Sequence, residues 1–247
     1  MRRCAYCGGP LVDSARFCPA CGMELPAYVE LFRDARRPRP IGFLDRVPIQ
    51  GKPATRMVVA ILASLFMSAG FLGLFHDTGD WMVFADLVMA SAIVACAWPE
   101  RRELRPLWRL PNPGWLLLAV AGALVLPQLA HLYVGLLPEE LAGGEDPFAG
   151  MSAPVKAFSF CLMPGVFEEL AFRGVVLMTL LHMLSFRRAH LLTAALFAGI
   201  HFSPIIFPYH LLVGVYLGWL RHRSGGLWAP ILAHAVHNAA VVFLTPT

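Results

Sequence analysis

Apolar residues recur in seven long runs from Met57 to the end of the chain, separated by short polar loops. The runs cover about 57–75, 81–98, 114–137, 154–184, 189–202, 205–221 and 226–244. A helix needs roughly 20 residues to cross a bilayer, so most of these runs are long enough to span one. The pattern predicts an all-α polytopic membrane protein whose transmembrane domain, 56–247, holds about seven transmembrane helices.

The fourth run is the longest and is interrupted by Pro164 and Gly165. Proline fits the first turn of a helix, so we expect a helix to restart there with Glu168 in its first turns. Splitting this run into two full spans would give eight spans and reverse the orientation of every later helix. We therefore expect seven.

The loops alternate in charge, and this alternation predicts the orientation. The first loop, at 76–80, and the third, at 138–153, contain no Lys or Arg. The second loop and the ends of the fourth and sixth runs are basic, with Arg101, Arg102, Arg105, Arg109, Arg187, Arg188, Arg221 and Arg223. Because basic loops stay cytoplasmic, the N-terminus is predicted to be cytoplasmic in a multi-pass protein of the cell membrane.

Composition agrees with this class. The chain is 57% hydrophobic and 15% charged, whereas a soluble domain carries roughly 25% charged residues. The formal net charge is +4, and ten of the 20 Lys and Arg lie at or before Arg56. Most of the other Lys and Arg residues flank apolar runs. This distribution is typical of charges that set the orientation of membrane helices and is not typical of a nucleic-acid-binding groove. We expect the lipid bilayer, and no nucleic acid, as a partner.

Residues 1–25 form a separate unit with two Cys-x-x-Cys pairs. Two such turns can place four thiolates around one zinc ion in a closed, structural site, and a redox dithiol is the alternative. A unit of about 25 residues has too small a hydrophobic core to fold without a bound metal ion. The predicted ligands of this zinc ribbon are Cys4, Cys7, Cys18 and Cys21. Residues 26–55 form a basic, Pro-rich linker, and the ribbon could recruit a cytoplasmic partner.

Two carboxylates and a guanidinium lie at membrane depth in the fourth run, where charged groups are costly and mark function. Glu169 and Arg173 are four residues apart with the acid first, which favours an ion pair on a helix. Two adjacent carboxyls in a low-dielectric site resist double ionisation. Glu168, left without the arginine, is therefore the candidate general base.

Three further polar groups lie in the last three runs. His201 ends the fifth run, and His234 and Asn238 are stacked at i and i+4 in the seventh, with His237 turned off that face. An imidazole and a carboxamide side by side can both donate hydrogen bonds to a developing oxyanion. A carboxylate with a histidine can hold a water molecule. Together these groups supply the parts for peptide hydrolysis.

The motifs Glu168-Glu169-x-x-x-Arg173, Phe197-x-x-x-His201 and His234-x-x-x-Asn238 resemble those of the CPBP family, which contains CAAX proteases and bacteriocin-processing intramembrane enzymes. The resemblance covers about 154–244. It implies an intramembrane endopeptidase acting on a membrane-associated peptide or protein. In that family's pattern Glu168 and His201 would activate water, His234 and Asn238 would stabilise the oxyanion, and Glu169 and Arg173 would support Glu168.

Two points stay open in the sequence. The family has been called metalloprotease, but His-Glu-x-x-His is absent, so we favour a glutamate mechanism without a catalytic metal. The alternatives to a protease are a non-proteolytic binding or immunity protein on the same scaffold and, less favoured, a proton or metal transporter. A transporter is expected to show repeated halves with broken helices, and no internal repeat is visible.

Overall fold

The computed structural model describes residues 52–75, 80–138 and 150–244, and within these ranges every regular element is a helix. Each of the seven apolar runs holds one main helix. The all-α prediction is therefore confirmed for the described part of the chain. The helices are α1 (Lys52–Phe75), α2 (Asp80–Ala97), α3 (Pro113–Val134), α4 (153–181), α5 (Phe186–Gly199), α6 (Phe207–Ser224) and α7 (Trp228–Leu244).

The predicted zinc ribbon at 1–25, with Cys4, Cys7, Cys18 and Cys21, lies outside the described residues. So does most of the predicted linker, which the structure enters only at Lys52, where α1 begins. Helix α1 thus starts a few residues earlier than the apolar run does, and Pro53 occupies its first turn, where a missing N–H costs nothing.

Two stretches, Met82–Trp108 and Pro113–Val134, are long and apolar enough to cross a membrane, and Trp228–Leu244 is apolar but shorter. Large apolar side chains also face outward from α2 and α3, among them Leu87, Leu117 and Leu132. An exposed apolar surface of this kind suits lipid better than water. A membrane location agrees with both observations, and the count of seven spans stays a prediction.

Helix α4 carries both glutamates, and it is continuous. Its ends are α-helical, while Ala157–Leu162, Pro164–Glu168 and Leu170–Val176 are π-helical. The expected restart at Pro164 is therefore wrong. A proline ring clashes with the carbonyl four residues earlier in an α-helix, and we attribute its tolerance here to the wider π-helical turns around it. Such turns are rare and often occur at functional sites.

Helix α7 packs along α3 and against the π-helical part of α4. The approach to α4 is close: a Cβ added to Gly165 would lie 3.1 Å from the Cβ of Ala235. Helices α5 and α6 form a second close pair, in which a Cβ on Gly214 would lie 3.1 Å from the Cα of Ala194. Small residues let the backbones approach, as in other membrane helix pairs. This packing brings α4, α5, α6 and α7 together around one site.

The start of α7 is fastened to the turn that follows α2. The backbone N–H of Leu227 donates to the carbonyl of Leu107 at 2.8 Å. The indole N–H of Trp228 donates to the carbonyl of Trp108 at 2.9 Å, and the two indole rings meet edge to face. The residue before Leu227 is Gly226, and glycine is required there because a Cβ would lie 2.8 Å from the carbonyl oxygen of Leu107.

Candidate active site

A cavity of about 820 Å³ opens between helices α2 to α7, and four predicted site residues line it: Glu168, His201, His234 and Asn238. Its size is typical of small-molecule and peptide-side-chain sites. These residues come from three separate apolar runs, so the fold brings together groups that lie up to 70 positions apart. The other two predicted residues, Glu169 and Arg173, lie behind the cavity wall.

Glu169 is fully buried and has two partners. Its Oε1 accepts a hydrogen bond from Nη1 of Arg173 at 2.7 Å, within the predicted i, i+4 ion pair. The same oxygen lies 2.9 Å from Nδ1 of His234, on α7. Nη2 of Arg173, also fully buried, donates to the Gly214 carbonyl on α6 at 3.0 Å. This cluster therefore joins α4, α6 and α7, and sequence reasoning found the ion pair but not the link to His234.

Glu168 differs from Glu169 in two respects. It lines the cavity, and no hydrogen bond or ion pair joins it to Arg173 or His234, whereas Oε1 of Glu169 contacts both. Oε2 of Glu168 is buried with no hydrogen-bond partner among the described residues. A buried carboxyl without a partner is costly unless it has a function. The separation of roles expected from sequence thus has a geometric counterpart: one acid is engaged by protein groups, and the other is presented to the cavity.

Phe197 is the packing centre of the site. Its ring lies under the guanidinium carbon of Arg173, 4.4 Å from the ring centre, and it is edge-on to Phe172. His201 and His234 both meet this ring at edge-to-face angles, with ring centres 5.1 and 5.7 Å away. A desolvated cation over an aromatic face is stabilised by about 2 kcal/mol. Phe197 belongs to the second motif, and its position explains why an aromatic residue suits that place.

His201 is held in one orientation by two contacts. Its Nδ1 lies 2.9 Å from the Phe197 carbonyl, and since a carbonyl only accepts, this nitrogen carries the hydrogen. Its ring stacks on that of His210, with centres 3.8 Å apart. His210 is fixed in the same manner by the Ile206 carbonyl at 3.2 Å. In each ring Nε2 is the nitrogen left for other partners.

Helix α7 contributes three polar groups to the cavity, one more than expected. His234 and Asn238 line it as predicted from their spacing, but His237 lines it too. The sequence predicts only that His237 is turned off the face that His234 and Asn238 share, and the cavity is wide enough to include it as well. Nε2 of His237 meets the hydroxyl of Tyr209 at 3.1 Å, and Nδ2 of Asn238 donates to the Phe160 carbonyl at 2.7 Å.

Sequence reasoning missed a second acid in the cavity. Asp86, in α2, lines it together with Ser159 of α4. Its position as a lone acid inside the apolar run 81–98 could have identified it, since ionisable residues at membrane depth are rare and usually have a function. Tyr133 of α3, whose hydroxyl donates to the Ile205 carbonyl, was missed as well. Neither α2 nor α3 belongs to the motif-bearing part of the chain.

The described residues contain no group of three or more His, Cys, Asp or Glu side chains arranged to hold a metal ion. Oε1 of Glu169, which lies close to both His234 and Arg173, already accepts hydrogen bonds from these two side chains.

Residues 150–240 match the family of type II CAAX prenyl endopeptidases described as Rce1-like. No curated protein and no solved structure gives a significant match to the chain. The matched region holds α4 to α7 almost completely, with every residue of the three motifs. This part of the chain is therefore similar to Rce1-like type II CAAX prenyl endopeptidases, consistent with the CPBP family.

Proposed function

We propose that this protein is an intramembrane endopeptidase that hydrolyses a peptide bond of a membrane-associated peptide or protein. The observation that carries the proposal is the convergence of Glu168, His201, His234 and Asn238 on one cavity, where Oε2 of Glu168 is buried without a hydrogen-bond partner among the described residues. A protease family match over 150–240 supports the same class of activity.

In the proposed first step a water molecule lies between Glu168 and Nε2 of His201. Glu168 takes one proton from this water while His201 accepts a hydrogen bond from its other O–H. The oxygen then attacks the carbonyl carbon of the scissile bond, and a C–O bond forms as the carbonyl π electrons move to its oxygen. General-base assistance of this kind contributes about 10²–10⁴-fold to a rate.

The proposed oxyanion donors are His234 and Asn238. Nδ1 of His234 donates to Glu169, which leaves Nε2 facing the cavity; in the imidazolium form, with Glu169 as counter-ion, Nε2–H can donate to the oxyanion. Asn238 uses one amide hydrogen for Phe160 and keeps the other. The protonated Glu168 then gives its proton to the leaving nitrogen as the C–N bond breaks, which restores the carboxylate.

For the N-terminal segment we propose a structural zinc ion bound by Cys4, Cys7, Cys18 and Cys21 in the cytoplasm. The ribbon would serve as a docking module for a cytoplasmic partner and take no part in catalysis. One zinc per chain, lost when Cys4 and Cys7 are both replaced by Ser, is the expected result of metal analysis on the purified protein.

The test of the proposed activity compares new N-termini in membranes of cells that express the wild-type chain or Glu168→Gln. Cleavage products present with the wild type and absent with Glu168→Gln support an endopeptidase. Glu103→Gln, which removes an exposed acid outside the cavity, is the matched control and should leave the products unchanged. Identical products in all three membranes, with equal expression, would instead support the binding or immunity function. Uptake by reconstituted vesicles would support transport.

A further inference from the structure

The cavity holds an acid that the proposed hydrolysis does not use. Asp86 is on α2, and its carboxyl interacts with the hydroxyl of Ser159 on α4. Oδ2 of Asp86 and Oγ of Ser159 are both buried, and beyond this contact neither has a hydrogen-bond partner among the described residues. Ser159 is only 7% exposed. Buried polar groups with so few partners are uncommon in folded proteins, so the adjacent pair in a cavity indicates a place for a ligand.

The charge of the cavity indicates what kind of ligand fits. Among the described side chains that line it, Asp86 and Glu168 are the acids, and none is Lys or Arg. Arg173 lies behind the wall with its charge directed to Glu169 and its other amino group to the Gly214 carbonyl. The stacked rings of His201 and His210 cannot both be cationic at 3.8 Å without repulsion. The part of the cavity next to Asp86 therefore favours positive over negative groups.

We propose that Asp86 and Ser159 form a substrate-recognition subsite for a cationic side chain, Lys or Arg, in an otherwise apolar peptide. This inference rests on the proposed function, since it names the substrate class of the same cavity. Asp86 would accept a charged hydrogen bond, and Ser159 would accept a second one. Ser159 and Glu168 are nine residues apart on α4, and because α4 is mostly π-helical between them, they are closer along the axis than the roughly 13 Å of an α-helix. At roughly 3.3 Å per extended residue, the cation would lie within about four residues of the bond attacked.

The test measures binding first, so that it does not depend on catalysis. The full chain carrying Glu168→Gln is placed in nanodiscs of uncharged lipid and titrated with fluorescent 20-residue apolar peptides. The peptides differ at one position, which is Lys, Gln or Glu and is moved along the middle of the sequence. We expect the best Lys peptide to bind about tenfold more tightly than its Gln counterpart, and the Glu peptide to bind more weakly.

Asp86→Asn added to this background should abolish the preference for Lys, and Asp86→Lys should transfer it to the Glu peptide. Ser159→Ala should reduce the preference by a few-fold. Glu103→Gln, which removes an exposed acid from outside the cavity, is the control and should retain it in full. A preference for Lys that persists in Asp86→Asn, or none in the starting protein, would overturn the inference.

Cleavage is then measured with the wild-type chain and the same peptides by mass spectrometry. Cleavage within about four residues of the Lys supports the subsite and the protease together. Binding that depends on Asp86 without cleavage of any peptide would overturn the proposed protease function but support the subsite. Cleavage that is indifferent to Lys, Gln or Glu would overturn the subsite but support the protease.

Discussion

Adjacent glutamates on one helix have opposite surroundings here. Glu169 is enclosed by Arg173 and His234, while Glu168 presents a carboxyl to the cavity. Breaking a buried ion pair leaves an uncompensated charge and costs about 3–5 kcal/mol. Removing the charge of a group that has no protein partner should cost far less. The two positions therefore offer a matched pair of isosteric variants.

Glu169→Gln should lower the free energy of unfolding by about 3 kcal/mol and reduce peptide cleavage. Glu168→Gln should keep the stability of the wild type within about 1 kcal/mol and lose at least about 100-fold in cleavage rate. Thermal unfolding in detergent and product formation with a cleaved peptide measure the two quantities. Equal behaviour of the two variants would show that the division of roles is wrong.

His210 is placed to orient His201 through the ring stack and has no motif of its own. His210→Phe keeps an aromatic ring in the stack, so we expect cleavage within about threefold of the wild type. His210→Ala removes the ring and should lower kcat by about tenfold, because a stack of this kind contributes about 1 kcal/mol to fixing the partner. KM should change little in either variant. If both variants lost activity equally, His210 would act through its nitrogen atoms rather than through the stack.

At the scale of helices, the close approach of α4 to α7 sets the distance between Glu169 and His234. Gly165→Leu would place side-chain atoms against the backbone and side chain of Ala235 and should force the helices apart. We expect about 1–3 kcal/mol of lost stability from this overpacking, together with loss of most cleavage activity. Gly199→Leu is the control, since a Cβ there meets nothing within 4 Å. Comparable losses in both variants would contradict the argument from packing.

The helices were largely predictable from sequence, whereas the details of the site were only partly so. Apolar runs marked all seven main helices, because burial in lipid or core imposes a continuous pattern. The spacing of Glu169 and Arg173 predicted their ion pair. Nothing local predicted the bond from Glu169 to His234, 65 positions away, since contacts between helices depend on tertiary packing. The continuity of α4 through Pro164 was missed because π-helical turns have no simple sequence signature.

For the whole molecule, the alternating loop charges predict seven spans with the N-terminus in the cytoplasm. Reporter fusions after Pro111 and after Ser185 should place both positions in the cytoplasm, because both adjoin basic loops. A fusion at Gly79 and one at the C-terminus should report the opposite side. A cytoplasmic C-terminus would indicate an even number of spans and exclude the seven-span topology.

The attachment of α7 to the turn at Leu107 and Trp108 has a consequence for the modularity of this protein. The family match begins at residue 150. The start of α7, which carries His234, is nevertheless hydrogen-bonded to Leu107 and Trp108, which lie outside the matched region. Helices α2 and α3, also outside it, supply one wall of the cavity. The motif-bearing helices and the unmatched helices α2 and α3 thus share one cavity and are joined by direct contacts. Under the proposed function, substitutions in the wall formed by α2 and α3 would change the choice of substrate and leave the proposed hydrolytic groups unchanged.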